Sequence, residues 1–237
     1  MDKLVMRQAA WIGDEYLRGP ARGLVLNFHG LGAGSGKNGP STEELHWAEA
    51  GAVVAFPYCG PWSWMNRQAQ AMTDGLVDAI YREFGLRDDA PLICTGGSMG
   101  GQASLLYTRY ARRPVAACLA NCPVCDTKYH FNERPDLPAT MRHAFNTYEG
   151  DIDAILDHHS PLAQVAAMPD IPYLIIHGMR DTAVNKARHS DAMVAAMRAR
   201  GLKVEYHELP DMGHCWPMTL ETFVRQTQFV VDALNRQ

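Results

Sequence analysis

The sequence predicts an α/β fold in which a mostly parallel central sheet carries helices on both faces. Short apolar segments alternate with longer amphipathic ones along the chain, the pattern of repeated strand–helix units. The short segments are rich in β-branched residues and apolar throughout, as expected of strands that are covered on both faces. The predicted strands are residues 24–29, 52–56, 92–95, 115–120, 173–177 and 204–207.

Amphipathic helices are predicted between these strands. The first one follows Ser41 or Thr42, either of which can cap a helix, and it ends before Gly51. The others place apolar residues at helical spacing on one face. The predicted helices are residues 41–50, 66–84, 99–110, 186–200 and 219–234. At the N-terminus, residues 4–18 are expected to form a hairpin.

One domain, residues 1–237, accounts for the length of 237 residues. Residues 121–172 interrupt the alternation of strands and helices with about 50 residues rich in His, Asp and Pro, which exceeds an ordinary connection. We expect this segment to form a cap-like insertion with helices of its own over one edge of the sheet.

Composition argues against several classes of partner. The formal net charge is −4, with 22 Lys and Arg against 26 Asp and Glu and no long basic run, so a nucleic-acid partner is not expected. A membrane-spanning apolar segment and a signal peptide are also not expected, which favours a cytoplasmic protein. Homo-oligomerisation stays open.

The six cysteines are expected to be reduced, because no secretory signal is recognised. They are Cys59, Cys94, Cys118, Cys122, Cys125 and Cys215. Cys122 and Cys125 have the spacing of a redox motif or of half a metal site, but no second pair at finger spacing accompanies them. A structural role is favoured over these two alternatives, and neither a metal nor a cofactor is expected.

The strongest motif surrounds Ser98. Gly96-Gly97-Ser98-Met99-Gly100-Gly101 matches G-x-S-x-G between a predicted strand and a predicted helix. This context places the hydroxyl on a tight turn, next to free N–H groups and the positive end of the helix dipole. Ser98 is therefore the candidate nucleophile, and a glycine-rich packing turn is the alternative.

A serine nucleophile needs a base and an orienting carboxylate. His214 is the best-placed histidine, since it lies beside Gly213 in a loop after the last predicted strand; the pair His158 and His159 is the rival. Asp181 follows the predicted strand 173–177, where α/β sheets gather their catalytic groups. Asp211 competes with Asp181 for the role of the acid.

These motifs resemble the α/β-hydrolase superfamily. Gly-Gly after the serine turn, and the segment from Ser160-Pro161-Leu162 to Pro172 that leads into Tyr173–Gly178, are similar more narrowly to the prolyl-oligopeptidase-related branch. That branch includes dipeptidyl peptidases, acylaminoacyl peptidases and acetyl or feruloyl esterases. The resemblance implies a triad of Ser98, Asp181 and His214 and an acyl-enzyme on the serine.

The glycine-rich residues 30–37 allow two interpretations. In an α/β-hydrolase such a loop supplies an oxyanion donor, and Leu31 and Met99 are the candidate N–H groups here. A nucleotide-binding loop is the alternative. It fits poorly because Leu31 stands where the first glycine of a P-loop would be and Asn38 where its Ser or Thr would be.

Trp62, Trp64 and Trp216 are candidate substrate-binding residues, because aromatic rings near strand ends can stack on a sugar or line an acyl pocket. Packing of the insertion onto the body is the equal alternative. The sequence thus predicts an esterase for a small acyl or acylated-sugar ester, since the chain leaves no room for the β-propeller of the large peptidases. A small peptidase, a non-catalytic binding protein and a nucleotide-binding protein are the alternatives.

Overall fold

The computed structural model describes residues 1–32 and 36–236. These residues form a seven-stranded sheet in the order β1-β3-β2-β4-β5-β6-β7. β1 runs antiparallel to β3, and the other neighbouring pairs are parallel. The strands are β1 Ala10–Ile12, β2 Gly23–Phe28, β3 Ala52–Pro57, β4 Leu92–Gly97, β5 Val115–Asn121, β6 Tyr173–Gly178 and β7 Val204–Leu209.

Ten α-helices lie in the described ranges. They are α1 Lys3–Ala9, α2 Thr42–Glu49, α3 Arg67–Glu83, α4 Met99–Tyr110, α5 Thr127–Phe131, α6 Leu137–Ala144, α7 Ile152–His158, α8 Pro161–Gln164, α9 Ala192–Ala199 and α10 Leu220–Asn235. Of the two capping candidates, Ser41 is the N-cap residue of α2, and its N–H donates to Glu44 Oε2 at 2.8 Å. None of these helices combines the length and the hydropathy needed to span a bilayer.

The two faces of the sheet bury separate cores. Alternate residues of β2 illustrate the division, since Leu24 and Leu26 belong to a core that includes residues of α3, α4 and α9, whereas Val25 belongs to a core that includes residues of α2 and α10. Every described strand except β7 is buried over most of its length, which explains why the strand segments are apolar throughout. The predicted α/β-hydrolase architecture, with helices on both faces, is confirmed.

The cap consists of α5 to α8, which fill the connection between β5 and β6. Its apolar side chains form a third cluster with Trp64, Met99 and Val184 of the body. Leu137 and Met141 of α6 are fully buried in that cluster. The cap is thereby packed against the start of α4 and against the loop after β6.

One local expectation is wrong and another holds with a change of helix type. Residues 4–18 do not form a hairpin, because Asp2 caps α1 by accepting the N–H of Val5 and Met6 is buried in the core, which leaves only β1 to pair with β3. The helix predicted over residues 186–200 is not uniform. It opens with a π-helical turn, Ala187–Asp191, before α9 begins.

Candidate active site

Ser98 occupies the turn between β4 and α4 with φ 61° and ψ −124°. Residues other than glycine rarely adopt this left-handed region. A β-carbon at Gly96 would collide with the backbone of Gly100, and one at Gly100 would collide with the carbonyl of Phe28. Strand and helix therefore approach too closely for side chains at these positions. The turn holds Ser98 at the carboxyl edge of the sheet.

Asp181 and His214 are brought together from the loops after β6 and β7. His214 Nδ1 lies 2.7 Å from Asp181 Oδ2. The other carboxylate oxygen accepts the backbone N–H groups of Ala183 at 2.8 Å and Val184 at 3.0 Å. The Asp181 side chain is 0% exposed and that of His214 is 30% exposed. Because Nδ1–H donates to the carboxylate, Nε2 is the nitrogen that can accept a proton.

A second imidazole, which the sequence analysis missed, also contacts Asp181. His177 Nε2 lies 3.2 Å from Asp181 Oδ2, and His177 Nδ1 lies 2.6 Å from the hydroxyl of Ser190. His177 is fully buried at the end of β6. Its position four residues before Asp181 was a usable signal, but a histidine at the end of an apolar strand is equally consistent with a core residue.

Electrostatics keep Asp181 ionised. Burial raises its pKa, but hydrogen bonds with His177 and His214 and with the N–H of Val184 outweigh burial and hold the pKa well below its usual range. Burial lowers the pKa of His214, whereas hydrogen bonds with Asp181 and Cys122 raise it, to about 9. The Cys122 thiol, whose own pKa is raised by its contact with Cys215 and by burial, is neutral at pH 7, so Asp181 is the charged partner.

The loop that carries His214 lies over the serine turn. Asn121 Nδ2 donates to the carbonyl of Cys215 at 3.3 Å, and the Asn121 carbonyl accepts the N–H of Ser98 at 2.9 Å. A β-carbon at Gly97 would lie 3.3 Å from Cys215 Sγ. No hydrogen bond joins Ser98 Oγ to His214 within residues 1–32 and 36–236. Catalytic hydrogen bonds of this kind often tighten only when substrate binds.

The two candidate oxyanion donors flank Ser98. Met99 is the first residue of α4, so its N–H has no acceptor within the helix. A β-carbon on Gly30, the neighbour of Leu31, would lie 3.9 Å from the β-carbon of Ser98. Leu31 itself packs half-buried against the apolar cluster of the cap. The direction of the two N–H groups toward a substrate oxygen stays a prediction.

The three tryptophans differ in environment. Trp64 is 1% exposed, and its Nε1 donates to Thr140 Oγ1 of the cap at 3.1 Å, which supports the packing alternative for this residue. Trp62 is half-buried and donates to His143 Nδ1 at 3.0 Å. Trp216, two residues after His214, is 72% exposed. Trp62 and Trp216 are therefore the two rings with surface available to a ligand.

The rival candidates lie in other surroundings. Asp211 forms an exposed ion pair with Arg180 at 2.6 Å. His159 is buried among aromatic rings of the cap, and His158 is exposed beside it. Residues 33–35 of the glycine-rich loop lie outside the described residues. At the end of that loop, Lys37 Nζ lies 2.7 Å from the fully buried Glu44. A nucleotide-binding loop would need this ammonium group for a phosphate, but here it is paired with a carboxylate.

Comparisons with solved structures agree with the fold. Esterase B from Lactobacillus rhamnosis is 16% identical, with 92% of this chain and 78% of that chain covered and a TM-score of 0.67. A lipase in an open form is 17% identical, with coverages of 96% and 94% and a TM-score of 0.67. Dipeptidyl peptidase 4 from Porphyromonas gingivalis is 17% identical, with coverages of 94% and 33% and a TM-score of 0.72.

Family membership rests on a longer sequence pattern. No curated protein matches the sequence. The profile of the prolyl oligopeptidase family, however, matches residues 74–237, a span that includes the serine turn, the cap, Asp181 and His214. The match covers more than half of the chain, and the resemblance noted from the motifs is confirmed. The chain belongs to the prolyl oligopeptidase family.

Proposed function

We propose that this protein is a serine hydrolase that cleaves small carboxylic esters through an acyl-enzyme on Ser98. The observation that carries the proposal is the 2.7 Å contact between His214 Nδ1 and the buried carboxylate of Asp181. The loop that carries His214 lies over the turn of Ser98, which has a positive φ. Family membership supports hydrolysis in general. The choice of ester over peptide is the finer part of the proposal.

The proposed reaction begins when the neutral form of His214 accepts the proton of Ser98 at Nε2 and Ser98 Oγ attacks the ester carbonyl. Because the pKa of His214 is raised to about 9, this neutral form gains population as the pH rises toward 9. The N–H groups of Met99 and Leu31 would stabilise the oxyanion, each by about 3 kcal/mol. His214 then protonates the leaving alcohol, and an acyl-enzyme remains. Water, deprotonated by His214, releases the carboxylic acid. Asp181 stays ionised throughout and stabilises the imidazolium.

An esterase and a lipase are among the similar solved structures, which favours an ester substrate. Trp216, exposed beside His214, and Trp62 at the cap offer apolar surface for an acyl or alcohol group. An acylated sugar is one alcohol component that such rings would accept.

A small peptidase is the second candidate. The family profile and the likeness to dipeptidyl peptidase 4 favour it. Both candidates use the same serine and the same acyl-enzyme, so they differ only in the leaving group. Relative turnover of p-nitrophenyl esters and aminoacyl-naphthylamides separates them, with ester turnover expected to be higher.

The function is tested by replacing Ser98. Turnover of p-nitrophenyl acetate or butyrate should fall by about 10⁴-fold or more in Ser98→Ala, because the acyl-enzyme can no longer form. A fluorophosphonate probe should label the unmodified protein and not this variant. Unchanged turnover in Ser98→Ala would refute the proposal, and an unlabelled native protein would favour a non-catalytic binding protein.

A further inference from the structure

Two thiols lie beside the imidazole of His214. Cys122 directly follows β5, and Cys215 directly follows His214 in the chain. The sulfur atoms of both cysteines and one ring nitrogen of His214 all lie within 4.8 Å of one another. Cys122 is buried, Cys215 is half-buried, and His214 is the partly exposed member. We call these three residues the thiol–imidazole cluster.

Backbone geometry holds both sulfurs in this cluster. Cys122 has φ 44° and Cys215 has φ 63°, so both residues occupy the left-handed region, which costs free energy for any side chain other than glycine. The N–H of Cys215 points at Cys122 Sγ at a distance of 3.3 Å. The backbone of the His214 loop thus contacts the sulfur of Cys122 directly.

The cluster has the donor set of a thiophilic metal site. Two thiolates and one imidazole suit Zn²⁺ and related cations, whereas Mg²⁺ and Ca²⁺ prefer oxygen ligands. Cys125, the other half of the spacing noted in the sequence, does not belong to the cluster. Its buried sulfur lies 3.6 Å from the carbonyl of Pro123. Two partners of Cys122 come instead from the loop of His214, and ligand atoms of His177 and Asp181 also lie within 4.8 Å of its sulfur.

His214 would keep its hydrogen bond to Asp181 if it bound a metal through Nε2. Its Nδ1–H donates to the carboxylate, so the free lone pair is on Nε2. Metal-ligating histidines commonly donate their other N–H to a carboxylate in this way. The same lone pair has to accept the proton of Ser98. A metal on Nε2 and general-base catalysis therefore exclude each other.

We propose that Cys122, His214 and Cys215 form a binding site for Zn²⁺ or a similar thiophilic divalent cation, and that the bound cation reversibly blocks hydrolysis. On binding, each thiol releases its proton to solvent, so the dication and the two thiolates form a neutral group. Water completes the coordination. The metal plays no part in the hydrolytic reaction. Binding stands independently of the proposed function, whereas the inhibition rests on it.

Binding is tested on the full-length Ser98→Ala protein, reduced and freed of metal, by titration with Co²⁺. One equivalent should produce thiolate-to-cobalt charge-transfer absorption. The signal should be lost in Ser98→Ala carrying Cys122→Ser or Cys215→Ser. It should persist with Cys59→Ser, a matched control because Cys59 is also a half-buried free thiol but lies outside the cluster.

Inhibition is tested on the protein with Ser98 intact. Zn²⁺ should inhibit ester turnover, and excess chelator should restore it. The concentration for half-inhibition should rise by more than about tenfold in Cys215→Ser, since even the outer partners of a metal ligand are worth that much affinity. Cys59→Ser should behave as the native protein does.

Two results would overturn the proposal: no sulfur charge transfer in the Ser98→Ala protein, or equal Zn²⁺ inhibition of the native and Cys215→Ser proteins. Because cobalt binding is read on an inactive protein, an absence of ester turnover would refute the proposed function and leave the binding test intact. If a cysteine variant does not fold, the cobalt spectrum of Ser98→Ala alone decides, as a site without sulfur ligands lacks that absorption.

Discussion

Among the described residues, a buried carboxylate and a half-buried one each contact two imidazoles, yet only the buried one belongs to the candidate active site. Asp181 lies between His177 and His214 on the body of the protein. In the cap, Glu133 Oε2 lies 2.6 Å from His130 Nδ1 and 3.0 Å from His189 Nε2. Glu133 Oε1 also accepts the N–H of Asn185, on the loop that carries Asp181, at 2.7 Å.

The two groups differ in the hydrogen bonding of the imidazole nitrogen that points away from the carboxylate. His189 Nδ1 accepts the N–H groups of Cys125 at 3.0 Å and Asp126 at 3.1 Å, so its Nε2 carries the proton and donates to Glu133. His189 is fully buried, whereas His214 is 30% exposed. Glu133 and its imidazoles therefore form a closed hydrogen-bond network. The Asp181 group keeps one nitrogen available for chemistry.

The largest expected difference between the two groups is in turnover. Asp181→Asn should lower kcat on a p-nitrophenyl ester by about 10³- to 10⁴-fold, because the amide no longer holds the imidazole in the reactive tautomer or stabilises its charge. Glu133→Gln should lower kcat by less than about tenfold, since Glu133 contacts His130, His189 and the backbone of Asn185 rather than the triad. Steady-state kinetics on folded protein, verified by circular dichroism, measures both. Equal losses would mean that the cap network takes part in catalysis.

Stability should show the reverse order. His189→Phe should reduce the free energy of unfolding by about 2–4 kcal/mol, because the buried N–H groups of Cys125 and Asp126 lose their acceptor. His214→Gln should cost about 1 kcal/mol or less, since the lost contact is partly open to solvent. Urea denaturation measures both values. A larger loss for His214→Gln than for His189→Phe would contradict the distinction between a closed and an open group.

His159, a buried imidazole of the cap, shows how burial changes the pKa of a histidine. His159 in the cap is fully buried, stacks on Phe145 at 4.5 Å, and has its pKa lowered to about 3, chiefly by burial. In the unfolded chain this histidine binds a proton below about pH 6.5, whereas in the folded chain it stays neutral until about pH 3. The contribution of His159 to the free energy of unfolding is therefore fully present above about pH 6.5 and is lost as the pH falls toward 3. This amounts to about 2 kcal/mol between pH 7 and pH 5.

Replacement of His159 removes this pH dependence. The loss of unfolding free energy between pH 7 and pH 5 should be smaller by about 2 kcal/mol in His159→Leu than in the native protein. His46→Gln, at an exposed histidine of α2, is the matched control and should leave the difference unchanged. A His159→Leu protein with native pH dependence would show that His159 is protonated in the fold.

Local patterns in the sequence predicted most of the fold and Ser98. Segment 115–120 is observed as Val115–Asn121, because a strand covered on both faces must be apolar throughout. The serine turn could be recognised because side chains at Gly96 and Gly100 would collide with the backbone, so glycines are required at fixed spacing from Ser98. The contact of His214 with Asp181 followed from chain order and the positions of strand ends.

Contacts between distant segments could not be read in the same way. Glu133 and His189 lie on separate elements, and nothing in their local sequence indicates that they meet. The sequence does not indicate that Cys215 lies close to Cys122, because this proximity depends on the positive φ angles of both residues. The N-terminal helix was missed because Leu4, Val5 and Met6 look like a strand, although only Met6 is buried.

The close approach of the Gly100 backbone to the carbonyl of Phe28 has a practical consequence for engineering. Contacts between main-chain atoms of β2, β4 and α4 fix the turn that carries the nucleophile. A library that varies Trp62 and Trp216 and keeps the triad unchanged should therefore alter substrate selectivity while most clones stay active. The same library extended to Gly96 or Gly100 would consist almost entirely of inactive ones.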